Sequence, residues 1–316
     1  MLSFGPIPSR RLGQSLGINN IPPKHCSYSC IYCQVGRTDK LRIEPRKFFN
    51  PKNILNDVKN RIAQIYEHGG RIDYLSFVPD GEPTLDSGLG RTIELLKPLR
   101  FPIAVFTNAS LVWRKAVRAD LCKADWVSLK IDAADEATWR KINRPHPGLG
   151  LKTVLDGMMK FAEEFRGYLA TETMLVKRIN DSEANFRNIG AFLKRLKPAR
   201  AYLSIPTRPP AESRTFPPEE ESLNLAYQLL SERLDEVVCL ITEEEEEGFG
   251  FTGQVEDDLL RTTAVHPMTE EAVETILRKS HARWDTIHRL IARGQLAEMV
   301  HQGKRFYIRR FSQKQG

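Results

Sequence analysis

The chain has 316 residues, of which 41% are apolar, and it carries 47 Lys and Arg against 40 Asp and Glu. No uncharged apolar run approaches the ~18 residues that a membrane span needs, and Gly and Pro interrupt the first eight residues before a signal peptide could form. Five cysteines in this length argue against a disulfide scaffold. We therefore predict a cytoplasmic protein in a reducing compartment, with no membrane partner.

The net charge of +7 is unevenly distributed along the chain. Residues 1–50 carry eight Lys or Arg against two Asp or Glu, and residues 275–316 carry ten against two, which gives +6 and +8 and leaves −7 for the middle. Basic ends around an acidic body indicate a polyanionic or acidic partner near one end, although solvated basic surfaces would produce the same count.

The first 240 residues alternate strand-like and helix-like segments. Strands are predicted near 16–21 and over 72–78, 103–107, 126–131, 171–177 and 201–205. Helices are predicted over 51–68, around 89–96, over 111–122, on both sides of the break at 145–148, after Ser182 and after Pro217-Pro218. Strands separated by helical crossovers predict a parallel sheet, open or closed, with ligands at the carboxyl ends of its strands.

The pattern changes past residue 250. A helix capped by Thr269, a second helix containing Trp284 and Ile291, and two strands joined at Gln302-Gly303 resemble a winged helix. The predicted organisation is an α/β core over 1–240, an acidic, Gly-containing linker over 241–253, and a basic winged-helix-like α+β module over 254–316.

The most informative motif is the CxxxCxxC formed by Cys26, Cys30 and Cys33, on the loop after the first strand. Three thiolates within eight residues indicate a metal. A structural zinc site needs four ligands, but Cys122 and Cys239 lie far along the chain, and a fourth ligand immediately before Cys26, at His25, is sterically awkward. Three ligands leave an open position, as in a [4Fe–4S] cluster with one free iron.

This motif, with Tyr32 before its last cysteine, resembles that of the radical S-adenosylmethionine (SAM) superfamily. A second match, Gly81-Glu82-Pro83, follows the next strand. The resemblance covers roughly residues 10–235. It implies a partial (β/α)6 barrel, a [4Fe–4S] cluster on the three cysteines, an external electron donor, and reductive cleavage of SAM to a 5′-deoxyadenosyl radical that abstracts hydrogen from a substrate.

The resemblance also implies contacts with SAM. The Gly81-Glu82 turn would bind the ammonium group through a backbone carbonyl and the carboxylate, and Tyr32 would lie by the adenine. Thr107 and Asn108 match a polar pair that contacts the methionyl part, and Asp132 stands where the ribose hydroxyls bind. Packing, turn and cap roles remain the alternatives for Tyr32, Thr107, Asn108 and Asp132.

Two arginine-containing segments are candidates for substrate contact, because Arg is suited to bidentate capture of carboxylate or phosphate. They supply Arg10, Arg11, Asn143, Arg144 and His146. The chain's opening, residues 4–11, resembles that of a prokaryotic radical SAM group distantly similar to wyosine (tRNA-modifying) synthases. Only two cysteines remain outside the motif, so the second three-cysteine cluster of those synthases cannot form here.

The C-terminal module carries a basic helix and hairpin, which predict RNA or DNA phosphates as one kind of partner and a protein or peptide as another. A module that only covers the mouth of the barrel is the third alternative. The basic residues are Arg283, Arg289, Arg293, Lys304, Arg305, Arg309 and Arg310. The leading interpretation is thus a radical SAM enzyme with an unknown substrate. The alternatives are an enzyme that modifies a tRNA or RNA base, and a nucleic-acid-binding regulator whose iron–sulfur cluster senses redox state.

Overall fold

The computed structural model describes residues 2–240 and 249–310. An antiparallel hairpin of β1 (Ser3–Ser9) and β2 (Gly13–Ile18) comes first. We did not predict β1, which contains Pro6 and Pro8. It lies at one end of the sheet, where prolines are tolerated because an edge strand does not need every N–H for pairing.

Two short strands, β3 (His25–Cys26) and β4 (Lys40–Leu41), then pair in parallel around the loop that carries the cysteine motif. After them, strands and helices alternate. The elements are α1 (Pro51–Glu67), β5 (Tyr74–Phe77), α2 (Leu89–Leu96), β6 (Ile103–Thr107), α3 (Lys115–Leu121), β7 (Trp126–Lys130), α4 (Glu136–Asn143), α5 (Leu151–Glu164), β8 (Tyr168–Met174), α6 (Glu183–Leu196), β9 (Arg200–Ser204), α7 (Glu220–Ser231) and β10 (Val237–Leu240).

The main sheet has the strand order β1-β2-β5-β6-β7-β8-β9-β10 and is parallel from β2 onward. It curls into a half-barrel whose end strands, β1 and β10, do not pair with each other. The predicted α/β partial barrel is confirmed. The count of six parallel strands was too low: β10 adds a seventh, because its four residues are too short for a clear periodic signal.

Local sequence explains most of the element boundaries. Asn50 caps α1 by accepting a hydrogen bond from the backbone N–H of Lys52, and Ser182 caps α6 as predicted. The strand predicted over 171–177 is displaced: β8 spans 168–174. The apolar residues after position 173 shifted the predicted strand toward its carboxyl end. Both ranges contain Glu172, a charged residue buried in the barrel interior.

Apolar residues of the helices pack against the outer face of the half-barrel. On α1 the fully buried residues Ile54, Val58 and Ile65 repeat with helical spacing, and they belong to the same core as Phe77 and Val105 of the sheet. Each such side chain contributes roughly 1.5–3 kcal/mol of hydrophobic stabilisation. In the part of the chain that the structure describes, no helix combines the length and apolar character needed to span a bilayer.

The C-terminal elements are α8 (Val255–Thr262), β11 (Met268–Thr269), α9 (Glu270–Lys279), α10 (Asp285–Ala292), β12 (Leu296–His301) and β13 (Lys304–Arg309). The three strands form an antiparallel sheet of order β11-β13-β12. Thr269 caps α9 as predicted, with its hydroxyl 3.1 Å from the backbone N of Ala272. The acidic run predicted as linker lies outside the described residues.

The C-terminal module packs on the N-terminal hairpin rather than standing apart from the core. Phe4 and Ile7 of β1 share a hydrophobic cluster with Leu259 and Ile276 of the module. Residues 249–253, predicted as linker, are part of this contact, since Phe249 is buried and the N–H of Gly250 donates to the carbonyl of Pro6 at 2.8 Å.

A buried ion pair reinforces this contact. The side chain of Arg61 on α1 is 3% exposed, and its Nη2 lies 2.7 Å from Oδ1 of Asp258 on α8. The same guanidinium donates twice to the carbonyl of Gly5, at 3.1 and 3.0 Å. A single side chain therefore joins the core, the hairpin and the C-terminal module.

Candidate functional site

A cavity of about 370 Å3 lies at the carboxyl ends of the parallel strands, where the topology predicts a ligand. The last residues of β6, β7, β8 and β9 line it, namely Thr107, Lys130, Met174 and Ser204. The other walls come from the β1–β2 turn, the cysteine loop (residues 26–38), the turn after β5, and residues 265–266 of the C-terminal module.

The three cysteines of the motif all line this cavity, whereas Cys122 and Cys239 do not. Burial raises the pKa of Cys26 and Cys33, and it raises that of Cys30 to about 12. Three half-buried thiols whose pKa values are raised in this way stay protonated unless a metal stabilises their thiolates. This donor set fits an iron–sulfur cluster, and the two other cysteines are free thiols outside the site.

Two side-chain amides donate hydrogen bonds to these sulfurs. Nδ2 of Asn108 lies 3.5 Å from Sγ of Cys26, and Nδ2 of Asn143 lies 3.4 Å from Sγ of Cys30. N–H donors to cluster thiolates are one of the means by which proteins set a cluster's reduction potential. Both asparagines were predicted as ligand contacts. Asn108 lines the cavity, whereas Asn143 is 2% exposed and does not line it, so its contact in this structure is with the sulfur.

Within the described ranges, no three His, Cys, Asp or Glu side chains are grouped so as to hold a single metal ion. A mononuclear zinc site requires all its ligand atoms within about 2.3 Å of one point. A [4Fe–4S] cluster makes no such demand, because each of its cysteines binds a different iron.

The Gly81-Glu82 turn is attached directly to the cysteine loop. The N–H of Glu82 donates to the carbonyl of His25 at 3.0 Å. Gly81 has φ +146°, and a Cβ there would lie 1.9 Å from the same carbonyl oxygen. Only glycine allows this approach, so the turn is fixed relative to Cys26. Pro83 begins a buried 3-10 turn behind it and does not line the cavity.

The carboxylate of Glu82 is 99% buried and accepts four hydrogen bonds. The donors to Oε1 are the N–H and hydroxyl of Thr84, at 3.0 and 2.5 Å, and the hydroxyl of Thr107, at 2.6 Å; the N–H of Asn108 donates to Oε2 at 2.8 Å. Burial raises the pKa of Glu82, while these donors lower it. Glu82 therefore organises the Thr107-Asn108 turn in addition to lining the cavity.

Asp132, predicted to bind ribose hydroxyls, does not line the cavity and is 2% exposed. Its oxygens accept hydrogen bonds from the hydroxyl of Tyr32, from Nδ2 of Asn143 at 2.6 Å and from the N–H of Met174 at 2.8 Å. Its contact with ribose hydroxyls stays a prediction. The structure makes it a buried support for Tyr32, which does line the cavity.

Arg11 and Glu172 both line the cavity and form a salt bridge with each other. Nη2 of Arg11 lies 2.6 Å from Oε2 of Glu172, whose other oxygen accepts from Nζ of Lys130 and from the hydroxyl of Ser204, both at 2.9 Å. Burial raises the pKa of Glu172, but Arg11 and Lys130 outweigh it and bring that pKa down to about 2. Lys130 also lies 5.0 Å from the centre of the Tyr32 ring.

Two predicted substrate contacts lie elsewhere. Arg144 is half-exposed and pairs with Glu212 at 2.7 Å, and Nδ1 of His146 accepts the N–H of Gly148 at 3.0 Å. Neither lines the cavity. They lie in the Pro-rich loop after α4, whose backbone is tied to the outer side of the cysteine loop, with the N–H of His146 donating to the carbonyl of Ser27.

The C-terminal module contributes residues to this site that the sequence did not identify, although covering the barrel mouth was one of the roles considered for it. Val265 and His266 line the cavity, and the carbonyl of Val265 accepts from Nε2 of Gln34 in the cysteine loop at 3.1 Å. Burial lowers the pKa of His266 well below its usual range, so its imidazole is neutral. Nothing in the sequence pattern pairs residue 34 with residue 265, because the contact depends on how the module docks.

The basic residues of the module are largely engaged within it. Arg289 and Arg293 both lie 3.4 Å from the carboxylate of Glu256, and Arg305 contacts Glu270 at 3.4 Å and Glu298 at 3.2 Å. Arg309 donates to the carbonyl of Leu260. These pairs reduce the positive charge that the linear sequence indicates.

Comparisons with known proteins agree with this arrangement. A family model described as the Radical SAM superfamily matches residues 20–188, more than half of the chain. The chain belongs to the Radical SAM superfamily, and its fold is that of an enzyme of this class. It is 44% identical over 309 residues to UPF0026 protein MJ1312 of Methanocaldococcus jannaschii, an alignment that covers 98% of this chain and 96% of that protein.

Solved structures with a similar fold include a radical SAM methyltransferase from Sphaerobacter thermophilus, with a TM-score of 0.55 and 16% identity over 72% of this chain and 67% of the other. Another is TYW1 with a lysine-pyruvate adduct bound, with a TM-score of 0.52 and 15% identity over 76% and 80% of the two chains. At these identities the likeness concerns the fold.

Proposed function

We propose that Cys26, Cys30 and Cys33 hold a [4Fe–4S] cluster with one open iron, and that the enzyme cleaves SAM reductively there to act on a substrate in the same cavity. The observation that carries this proposal is the placement of all three cysteines on one cavity wall, with the Gly81-Glu82 turn bonded to the loop that bears them. When bound, the cluster would supply the electron that breaks the S–C5′ bond of SAM, giving methionine and a 5′-deoxyadenosyl radical.

Three cavity-lining residues, Glu82, Lys130 and Tyr32, would have separate roles in binding SAM. Glu82 supplies a fixed negative charge beside the cysteine loop, which favours an ammonium group there, and it holds Thr107 and Asn108 at the cavity edge. Lys130 offers a cation to a carboxylate, and its salt bridge with Glu172 keeps its pKa above the usual value despite burial. Tyr32 presents an aromatic ring whose hydroxyl is anchored on Asp132.

Closure of the cavity is part of the same function. The half-barrel leaves its carboxyl end open, and residues 265–266 of the C-terminal module cover part of that opening. Gln302 of the module's hairpin also donates to the carbonyl of Pro206, in the loop after β9, at 3.3 Å. A wall of this kind excludes water and protects reactive species from side reactions.

The direct test is formation of 5′-deoxyadenosine and methionine by anaerobically reconstituted, dithionite-reduced protein, followed by liquid chromatography and mass spectrometry. We expect Cys26→Ala, Cys30→Ala and Cys33→Ala each to abolish product. The matched controls are Cys122→Ser and Cys239→Ser, which change half-buried cysteines outside the cavity and should retain product formation. Product from all three motif variants, or from none of the proteins, would overturn the proposal.

The two alternative functions stay predictions. A redox-sensing regulator has no need of the Gly81-Glu82 turn, so 5′-deoxyadenosine formation separates it from the enzyme. Action on a tRNA or RNA base requires a nucleic-acid surface, and the ion pairs of Arg289, Arg293 and Arg305 weaken the argument for one. RNA or DNA binding that weakens steeply with salt would support a nucleic-acid surface after all.

A further inference from the structure

The carboxyl end of α4 and the loop after it carry three of the predicted substrate contacts, Asn143, Arg144 and His146, none of which lines the cavity. The backbone of this segment pairs with the cysteine loop instead. The N–H of Ser29 donates to the carbonyl of Asn143 at 3.0 Å, and the N–H of His146 donates to the carbonyl of Ser27 at 2.9 Å. The segment therefore lies along the cysteine loop, beside the residues between the first and second cysteines of the motif.

The side-chain amide of Asn143 has a fixed orientation. Its Nδ2 lies 2.6 Å from Oδ2 of Asp132, and an exchange of nitrogen and oxygen in the amide would put an amide oxygen against this carboxylate oxygen. Asp132 is held in turn, because its Oδ1 accepts the N–H of Met174 at 2.8 Å. Asn143 and Asp132 are each 2% exposed, so the solvent contributes little to these bonds.

Asp132 engages one of the two hydrogens on Nδ2 of Asn143, which leaves the other for Cys30. Nδ2 lies 3.4 Å from Sγ of Cys30 and 3.3 Å from Oη of Tyr32. The Tyr32 hydroxyl is a neutral acceptor that donates its own hydrogen to Asp132. A cysteine bound to a metal is a thiolate, and an ionised acceptor forms a stronger hydrogen bond than a neutral one. We therefore expect the second hydrogen to bond to the Cys30 sulfur when the cluster is present.

Asn108 makes a comparable contact with Cys26 but also has other roles. Its Nδ2 lies 3.5 Å from Sγ of Cys26 and only 2.9 Å from Oγ of Ser27, and its backbone N–H donates to Glu82. Asn108 also lines the cavity, so a change there alters the ligand site itself. A change at Asn143 removes no cavity-lining side chain.

We propose that Asn143 raises the reduction potential of the cluster by donating an N–H···S hydrogen bond to the Cys30 thiolate. Reduction adds negative charge to the cluster and its sulfur ligands, so a donor at sulfur stabilises the reduced form more than the oxidised form. This inference rests on the proposed function, because it concerns the cluster of the same site. It gives the end of α4 a role in electron uptake that is separate from SAM binding.

The test is a redox titration of the anaerobically reconstituted protein without SAM, with dithionite as the source of electrons and electron paramagnetic resonance of the reduced cluster as the readout. Asn143→Leu keeps the size of the side chain and removes the donor. We expect the equilibrium constant for reduction to fall about tenfold, which is a shift of about 59 mV to lower potential for one electron. Asn143→Ala, which removes the donor without adding an apolar branch, should shift the potential in the same direction.

The matched control is Asn185→Leu. Asn185 is also a buried asparagine, with Nδ2 2.7 Å from the carbonyl of Asn180, but it lies on α6 and outside the cavity, so its loss should leave the potential unaltered. A fall of less than twofold in either Asn143 variant that binds the cluster, or an equal shift in Asn185→Leu, would contradict the proposal. Loss of the cluster from both Asn143 variants would also overturn it, because the residue would then serve only to hold the loop. The titration requires no SAM cleavage, so its outcome is separate from that of 5′-deoxyadenosine formation.

Discussion

Glu82→Gln tests whether this residue organises the site or serves only as a ligand. The amide can place its oxygen at the Oε1 position, where three donors converge, but its NH2 group then faces the N–H of Asn108, which loses its acceptor. An unsatisfied buried donor costs about 1–3 kcal/mol, and the three remaining bonds lose their charged acceptor. We expect the free energy of unfolding of the metal-free protein to fall by about 3 kcal/mol.

Urea unfolding at pH 7, followed by tryptophan fluorescence, measures this loss. The matched control is Glu94→Gln, which changes a glutamate on α2 that pairs with Lys123 and Arg91 at the surface. Exposed pairs contribute at most about 1 kcal/mol, so the control should remain close to the parent protein. If Glu82→Gln costs less than about 1 kcal/mol without SAM, the carboxylate has no organising role and our reading of its four hydrogen bonds is wrong.

Three further variants test the framework around the cavity. Gly81→Ala should disrupt the cysteine loop, because its Cβ would overlap the His25 carbonyl, and iron content after reconstitution should fall severalfold; full iron loading would contradict this. Arg61→Met should cost about 3 kcal/mol in urea unfolding, since it leaves Asp258 buried without its cation, and a loss below 1 kcal/mol would show that the pair does not hold the module. Glu172 has a folded-state pKa of about 2 against an ordinary 4.5, so its stabilisation is present above about pH 4.5 and is lost as the pH falls toward 2. The difference in unfolding free energy between parent and Glu172→Gln should therefore shrink by about 3 kcal/mol over that range, and a pH-independent difference would refute it.

The cysteine motif and the Gly81-Glu82 turn could be predicted because each depends on residues close together in the chain. Three thiols within eight residues indicate a metal, and the alternation of strands and helices predicts the parallel sheet. Each motif follows a strand of that parallel sheet, so both are expected at the edge formed by the carboxyl ends of the strands. In the structure the three cysteines, Gly81 and Glu82 line one cavity.

The other side of the cavity could not be predicted, because it depends on strand phase and on docking. Glu172 lies within both the predicted and the observed strand, but the strand phase that turns this side chain into the barrel and toward Arg11 could not be derived from the sequence. Asp132 follows β7 as predicted, but the side chain turns under Tyr32 rather than into the cavity. His266 comes from a module whose position depends on packing against β1.

The central claim is that a cluster on Cys26, Cys30 and Cys33 keeps one iron open for SAM. Electron paramagnetic resonance of the anaerobically reduced protein, recorded before and after SAM is added, tests it most directly. We predict about four irons per chain and a reduced-cluster signal that changes when SAM binds. Tetrahedral zinc at these thiols, or an iron–sulfur signal that SAM leaves unaltered, would contradict the account.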